Sequence, residues 1–254
     1  MGGFATIWVA FSGSYMVADR LIVRRWALPD PWATLIEGIA PAVLGLCAAL
    51  MVERRMSNTS VRESLRNLGF GLAPRSAIAV ALLSALPIVG FYVIRFGWQG
   101  VPVRTVDGLP LQVGKFVLAQ GVFEQVLFQG VLFRRLRVGR SFFSAATISA
   151  AVFSLSHLAN LVHGLTVAVL VRVGISLVFA AVLAYPAAYL FERGRNTIWA
   201  FGLLHLAIDS VDWFVGIAGS TAMYIYLGAV AISAGCVFGF GALLLPRRPT
   251  PARQ

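Results

Sequence analysis

The chain has 254 residues, 59% of them hydrophobic and only 12% charged, against about 25% charged in soluble globular chains. With a mean hydropathy of +0.82 and long apolar stretches along its whole length, it is not a disordered chain, a secreted disulfide scaffold or an ordinary cytosolic enzyme. The class is an all-α, polytopic integral membrane protein. The net charge of +11 comes from twenty Arg and one Lys against ten acids, and the Arg residues lie between the apolar stretches, so they read as topology signals and argue against a nucleic-acid surface.

A membrane span needs ~20 mostly apolar residues, and the composition predicts about eight, near 4–23, 32–52, 76–94, 113–133, 143–162, 165–191, 197–217 and 222–245. The first lacks a basic leading segment and a small-residue cleavage site and reads as a retained helix. The segment from Arg54 to Arg75 reads as an amphipathic connector on the anionic lipid surface. Cys47 and Cys236 fall inside apolar runs and read as small buried hydrophobes. No repeat or low-complexity tract divides the chain, so 1–254 is expected to be one transmembrane domain.

Orientation follows from the basic residues. Fourteen, from Arg54 and Arg55 through Arg134, Arg135, Arg137, Arg193 and Arg195 to Arg253, fall on one side of the predicted spans, and five, Arg20, Arg24, Arg25, Arg95 and Arg104, on the other. The positive-inside rule then puts both termini in the cytoplasm of a plasma membrane, expected to be bacterial.

Ionisable groups inside a span cost at least ~2.5 to 3.5 kcal/mol each, which makes each a functional hypothesis. Glu124 lies near the middle of the fourth span, about ten residues before Arg134, or ~15 Å from that end. His157 lies in the fifth span, with Phe153 and Asn160 within a turn on its side. His205 and Asp209 are four apart in the seventh, so they share one helical face; a carboxylate so placed fixes an imidazole's tautomer. Glu37 and Asp212 lie near span ends and read as interfacial, Arg172 as snorkelling or acid-paired, and His163 as a loop-edge residue. Two imidazoles and a carboxylate from three helices suit either a divalent-metal site of Glu124, His157 and His205, with a metal such as zinc, or a general base flanked by electrophilic donors around a water. Spacing leaves both open.

Three short patterns occur in order: Glu124-Gln125-Val126-Leu127-Phe128-Gln129, then Phe153 to His157, then His205 to Asp209. They resemble the Glu-Glu-x-x-x-Arg, Phe-x-x-x-His and His-x-x-x-Asn/Asp motifs of the CAAX protease and bacteriocin-processing (CPBP, or Abi) intramembrane endopeptidases, which include the type II CAAX prenyl proteases. The resemblance covers about 116–215. It departs at Gln125, where the family has a second Glu, and at Gln129, where it has Arg. The resemblance implies that Glu124 activates the attacking water while His157, His205 and Asp209 bind or polarise the scissile peptide, with Gln125, Gln129, Phe153 and Asn160 in support. It also implies a membrane-associated peptide or protein substrate, prenylated or bacteriocin-like, met in membrane lipid. Positions 125 and 129 are four apart, and their joint change to amides reads as a structural ion pair exchanged as a unit. The same departures motivate a rival reading, a catalytically silent relative serving as a scaffold or immunity factor. A transporter with intramembrane proton relays would be favoured by inverted repeats or broken helices, and the sequence has neither.

Overall fold

The computed structural model describes residues 2–26, 28, 30–102, 109–158, 161, 165–214 and 220–246, and among them there is no β-strand. The principal helices are α1 (Gly2–Val17), α2 (Ala40–Ser57), α3 (Val61–Leu65), α4 (Arg75–Ser84), α5 (Leu86–Tyr92), α6 (Leu109–Leu136), α7 (Phe142–Ser156), α8 (Val167–Arg193), α9 (Trp199–Phe214) and α10 (Ser220–Leu244). Each of the eight apolar stretches carries a helix, with 76–94 shared by α4 and α5, which part where Pro87 opens α5. Among the described residues, five segments are long and apolar enough to cross a membrane: Trp32–Ser57, Val61–Trp98, Leu109–Leu136, Val169–Arg193 and Thr221–Leu244. Helices α7 and α9 are apolar but shorter; the fifteen residues of α7 span only ~22 Å of a ~30 Å hydrocarbon layer.

Local chemistry fixes several ends. The Ser141 hydroxyl accepts from Ser144 N–H to open α7, Thr166 does the same for Val169 at α8, and Ser60 caps α3 by accepting from Glu63 N–H. Asn58, left-handed at φ 48°, closes α2.

Two apolar clusters fill the bundle. One joins α2 and α6 to α7 and part of α8 through Phe123, Leu127, Phe133, Ala146 and Phe191. The other joins α4, α5, α9 and α10 to the rest of α8 through Phe91, Leu190, Leu204 and Val230. Large apolar residues such as Leu82, Val89, Phe143, Val178 and Leu243 point outward, as they must where lipid replaces water.

Four of the basic residues gather at one end. Arg134 and Arg135, closing α6, reach Glu53 near the end of α2 at 2.6 and 2.8 Å. Arg137 pairs with Glu192 at the end of α8 at 2.6 Å, and Arg193 donates to the Pro246 carbonyl just past α10. Gly3 lies against Val52, Met56 and Arg135, so the first residues of α1 share this end with Pro246.

The structure differs from the sequence reading of the connector. Its second half does not lie flat on lipid: Leu68 and Gly69 are buried, the Gly69 carbonyl accepts from Ile198 N–H at 3.1 Å, and the Leu68 carbonyl presses so close to Gly130 on α6 that no side chain would fit there. Cys47 is exposed on the outside of the bundle and Cys236 is half-buried, so neither is the fully buried hydrophobe expected; both are free thiols.

Candidate active site

Helices α6 and α9 meet where the two apolar clusters adjoin. A methyl group on Gly202 of α9 would lie 2.7 Å from the Gly121 carbonyl oxygen of α6, so only glycine permits this approach. Small residues at helix crossings bring backbones together in membranes, and here the crossing carries His205, one turn beyond Gly202, to the α6 residues just past Gly121.

His205 is buried, 6% exposed, and both ring nitrogens are engaged. Nε2 stands 3.1 Å from Asp209 Oδ2, one turn along α9. Nδ1 stands 3.1 Å from Gln125 Nε2 and 4.0 Å from Glu124 Oε2. The Gln120 backbone also acts on the ring, and Phe201 packs against it. Glu124 accepts no side-chain or backbone hydrogen bond among the described residues; His205 is its nearest charge partner.

His157 closes the last turn of α7. Its Nδ1 bonds the Phe153 carbonyl at 3.0 Å and its ring meets Phe153 edge to face, while Phe153 packs on Phe128 of α6. His157 lies near enough to His205 and Asp209 to feel their charges, but among the described residues it makes no direct hydrogen bond to Glu124 or His205. The structure therefore brings Glu124, Gln125, His205 and Asp209 into contact and sets His157 beside them. Asn160 and His163 lie outside the described residues.

Three glutamines of α6 hold amide oxygens that are buried and without a hydrogen-bond partner: Gln120, Gln125 and Gln129. Gln125 is bonded to His205 across helices. Gln120 carries no motif signal, being a lone amide in an apolar helix; its buried, unpartnered oxygen lies one turn before Glu124 on α6.

The three-ligand metal site does not fit. A metal-bound imidazole must offer one nitrogen lone pair to the ion, and His205 has Gln125 on Nδ1 and Asp209 on Nε2. Among the described residues no cluster of three His, Cys, Asp or Glu is arranged to hold an ion, so Glu124, His157 and His205 do not form that set.

Residues 106–211 match the family model described as Type II CAAX prenyl endopeptidase Rce1-like. The matched segment contains α6, α7, α8 and most of α9, and so every residue of the contact set. No curated protein matches the chain.

Proposed function

With residues 106–211 carrying the segment of the Rce1-like family of CAAX-type intramembrane proteases as premise, we propose that the protein is an endopeptidase that cleaves a membrane-associated peptide, with Glu124 as the base that activates water. The observation that carries this reading is the Glu124 carboxylate, 27% exposed, with no hydrogen-bond donor on it among the described residues and His205 4.0 Å away. Glu124 takes a proton from water as the water oxygen attacks the scissile carbonyl carbon. The carbonyl oxygen becomes an oxyanion beside His157, whose Nδ1 is held by the Phe153 carbonyl. Collapse breaks the C–N bond, and the proton held by Glu124 passes to the departing amine, leaving an acid, an amine and the regenerated carboxylate. Asp209 orients His205. No step is routed through a metal.

The substrate class in this reading is a peptide tail presented from the lipid, prenylated CAAX-like or bacteriocin-like. The whole chain acts as one transmembrane domain, and the basic end, with both termini, faces the cytoplasm of a bacterial plasma membrane. Reporter fusions after Pro246 and in the loop near Arg104 should fall on opposite sides; both on one side would overturn the orientation.

The test of the activity is cleavage of a prenylated CAAX peptide by the protein in proteoliposomes, followed by mass spectrometry. Glu124→Gln should lower the rate by about 10²- to 10⁴-fold without altering the unfolding temperature. Intact cleavage in Glu124→Gln overturns the role of Glu124. A wild type that binds the peptide and cuts nothing favours the silent-scaffold reading, which the amides at Gln125 and Gln129 motivate.

A further inference from the structure

His205 sits between two partners of different kinds, and the difference assigns a role to Gln125. Asp209 Oδ2, 3.1 Å from Nε2, accepts a hydrogen bond whatever the charge of the ring, so Nε2 keeps its hydrogen. Nδ1 is the nitrogen that changes: bare in neutral imidazole and N–H in imidazolium. The groups facing Nδ1 are the Glu124 carboxylate at 4.0 Å and the Gln125 amide at 3.1 Å, with the Gln120 backbone also near the ring; His157 on α7 lies close enough to feel the charge of His205. Of these, only the amide offers both a donor and an acceptor at every pH. Gln125 is 3% exposed, and its Nε2 reaches Nδ1 while its Oε1 has no partner. That arrangement serves a bare Nδ1. Turned over, the same amide presents Oε1 to an Nδ1–H.

Resting on the protease reading, we propose that Gln125 is a positioning residue whose amide serves both protonation states of His205 and so holds the ring in place beside Glu124. In either state the ring stays paired with Asp209 through Nε2. A glutamate at 125 accepts only, so it would hold the hydrogen on Nδ1; an apolar side chain would serve neither state. The departure from the family's second Glu thereby becomes a working part of this site.

With three histidines in the chain, ¹⁵N-histidine NMR of the intact protein in detergent resolves the point without any substrate. His205→Asn identifies the His205 signals by their loss. The wild type should show His205 with a bare Nδ1 and a protonated Nε2 at high pH, gaining a hydrogen on Nδ1 as pH falls. Gln125→Glu should carry the Nδ1 hydrogen across the whole range in which the wild type lacks it, and Gln125→Met should broaden or shift the Nδ1 signal with the Nε2 signal retained. Identical Nδ1 signals in wild type, Gln125→Glu and Gln125→Met, each folded by its unfolding temperature, would overturn the proposal. Because the nitrogens report without turnover, a protein that cuts nothing would sink the protease reading while leaving this result to stand or fall by itself.

Discussion

Glu53 and Glu124 are both carboxylates inside the same apolar bundle, and their surroundings are opposite. Glu53 is fully buried and accepts from four side chains: Arg134 at 2.6 Å, Arg135 at 2.8 Å, Ser57 at 2.9 Å and Asn67 at 3.1 Å. These come from α6, α2 and the segment after α3, so one carboxylate ties three parts of the chain at the basic end. Glu124, on the same helix as the two arginines, accepts no hydrogen bond among the described residues and has His205 as its nearest charge partner, at 4.0 Å. A buried charge that is paired and fully hydrogen-bonded holds structure; one left short of donors is costly to keep and is free to take a proton. The bundle spends its guanidinium donors on Glu53 and withholds them from Glu124.

The contrast is most sharply broken by treating the two residues alike. Glu124→Gln should cost about 10²- to 10⁴-fold in cleavage and nothing in thermal stability, because no donor is orphaned by the change. Glu53→Ala should do the reverse. It leaves Arg134 and Arg135 without their shared counter-charge, a loss of ~3 to 5 kcal/mol for a broken buried pair, read as a lower unfolding temperature in detergent while the molecules that stay folded keep their specific activity. A large activity loss without destabilisation in Glu53→Ala would mean that the knot reaches the chemistry directly.

A milder change grades the knot. Asn67→Ala removes one hydrogen bond to the Glu53 carboxylate and keeps both arginines, so stability should fall by ~1.5 to 3 kcal/mol, the usual range for a bond to a charged group. A loss as large as that of Glu53→Ala would show that Asn67, and through it the packed connector, dominates the arrangement.

The two regions also differ in how far the sequence discloses them. Helix positions follow from hydropathy, because lipid forces every backbone polar group into intrahelical bonds and makes each span a run of apolar residues. The site residues stand out for the same reason: Glu124, His157, His205 and Asp209 are polar where polarity is expensive. Glu53 gave no such signal. It sits beside Arg54 and Arg55 at a span end, where an exposed interfacial acid is ordinary, and its true partners lie 14, 81 and 82 positions away. Gln125 is a related case. Spacing on one helix puts it beside Gln129, whereas its bonded partner, His205, is 80 positions along the chain. Periodicity reports neighbours on a helix, and the pairing of helices decides the contacts between them.

The smallest change tests whether the geometry at Glu124 depends on the helix crossing. An added methyl at Gly202 would lie 2.7 Å from the Gly121 carbonyl oxygen, and a backbone atom cannot swing aside as a side chain can. Gly202→Ala must therefore part α6 from α9, a strain of ~1 to 3 kcal/mol for overpacking, and His205 moves with α9, three residues on. A catalytic geometry displaced by ~1 Å can cost on the order of 10²-fold, so cleavage should fall further than stability alone explains. Gly228→Ala on α10, where an added methyl meets nothing within 4 Å, is the matched control and should leave both quantities as they are. If Gly202→Ala lowers stability and cleavage only in proportion, the crossing serves packing alone, and the approach of His205 to Glu124 is set elsewhere in the bundle.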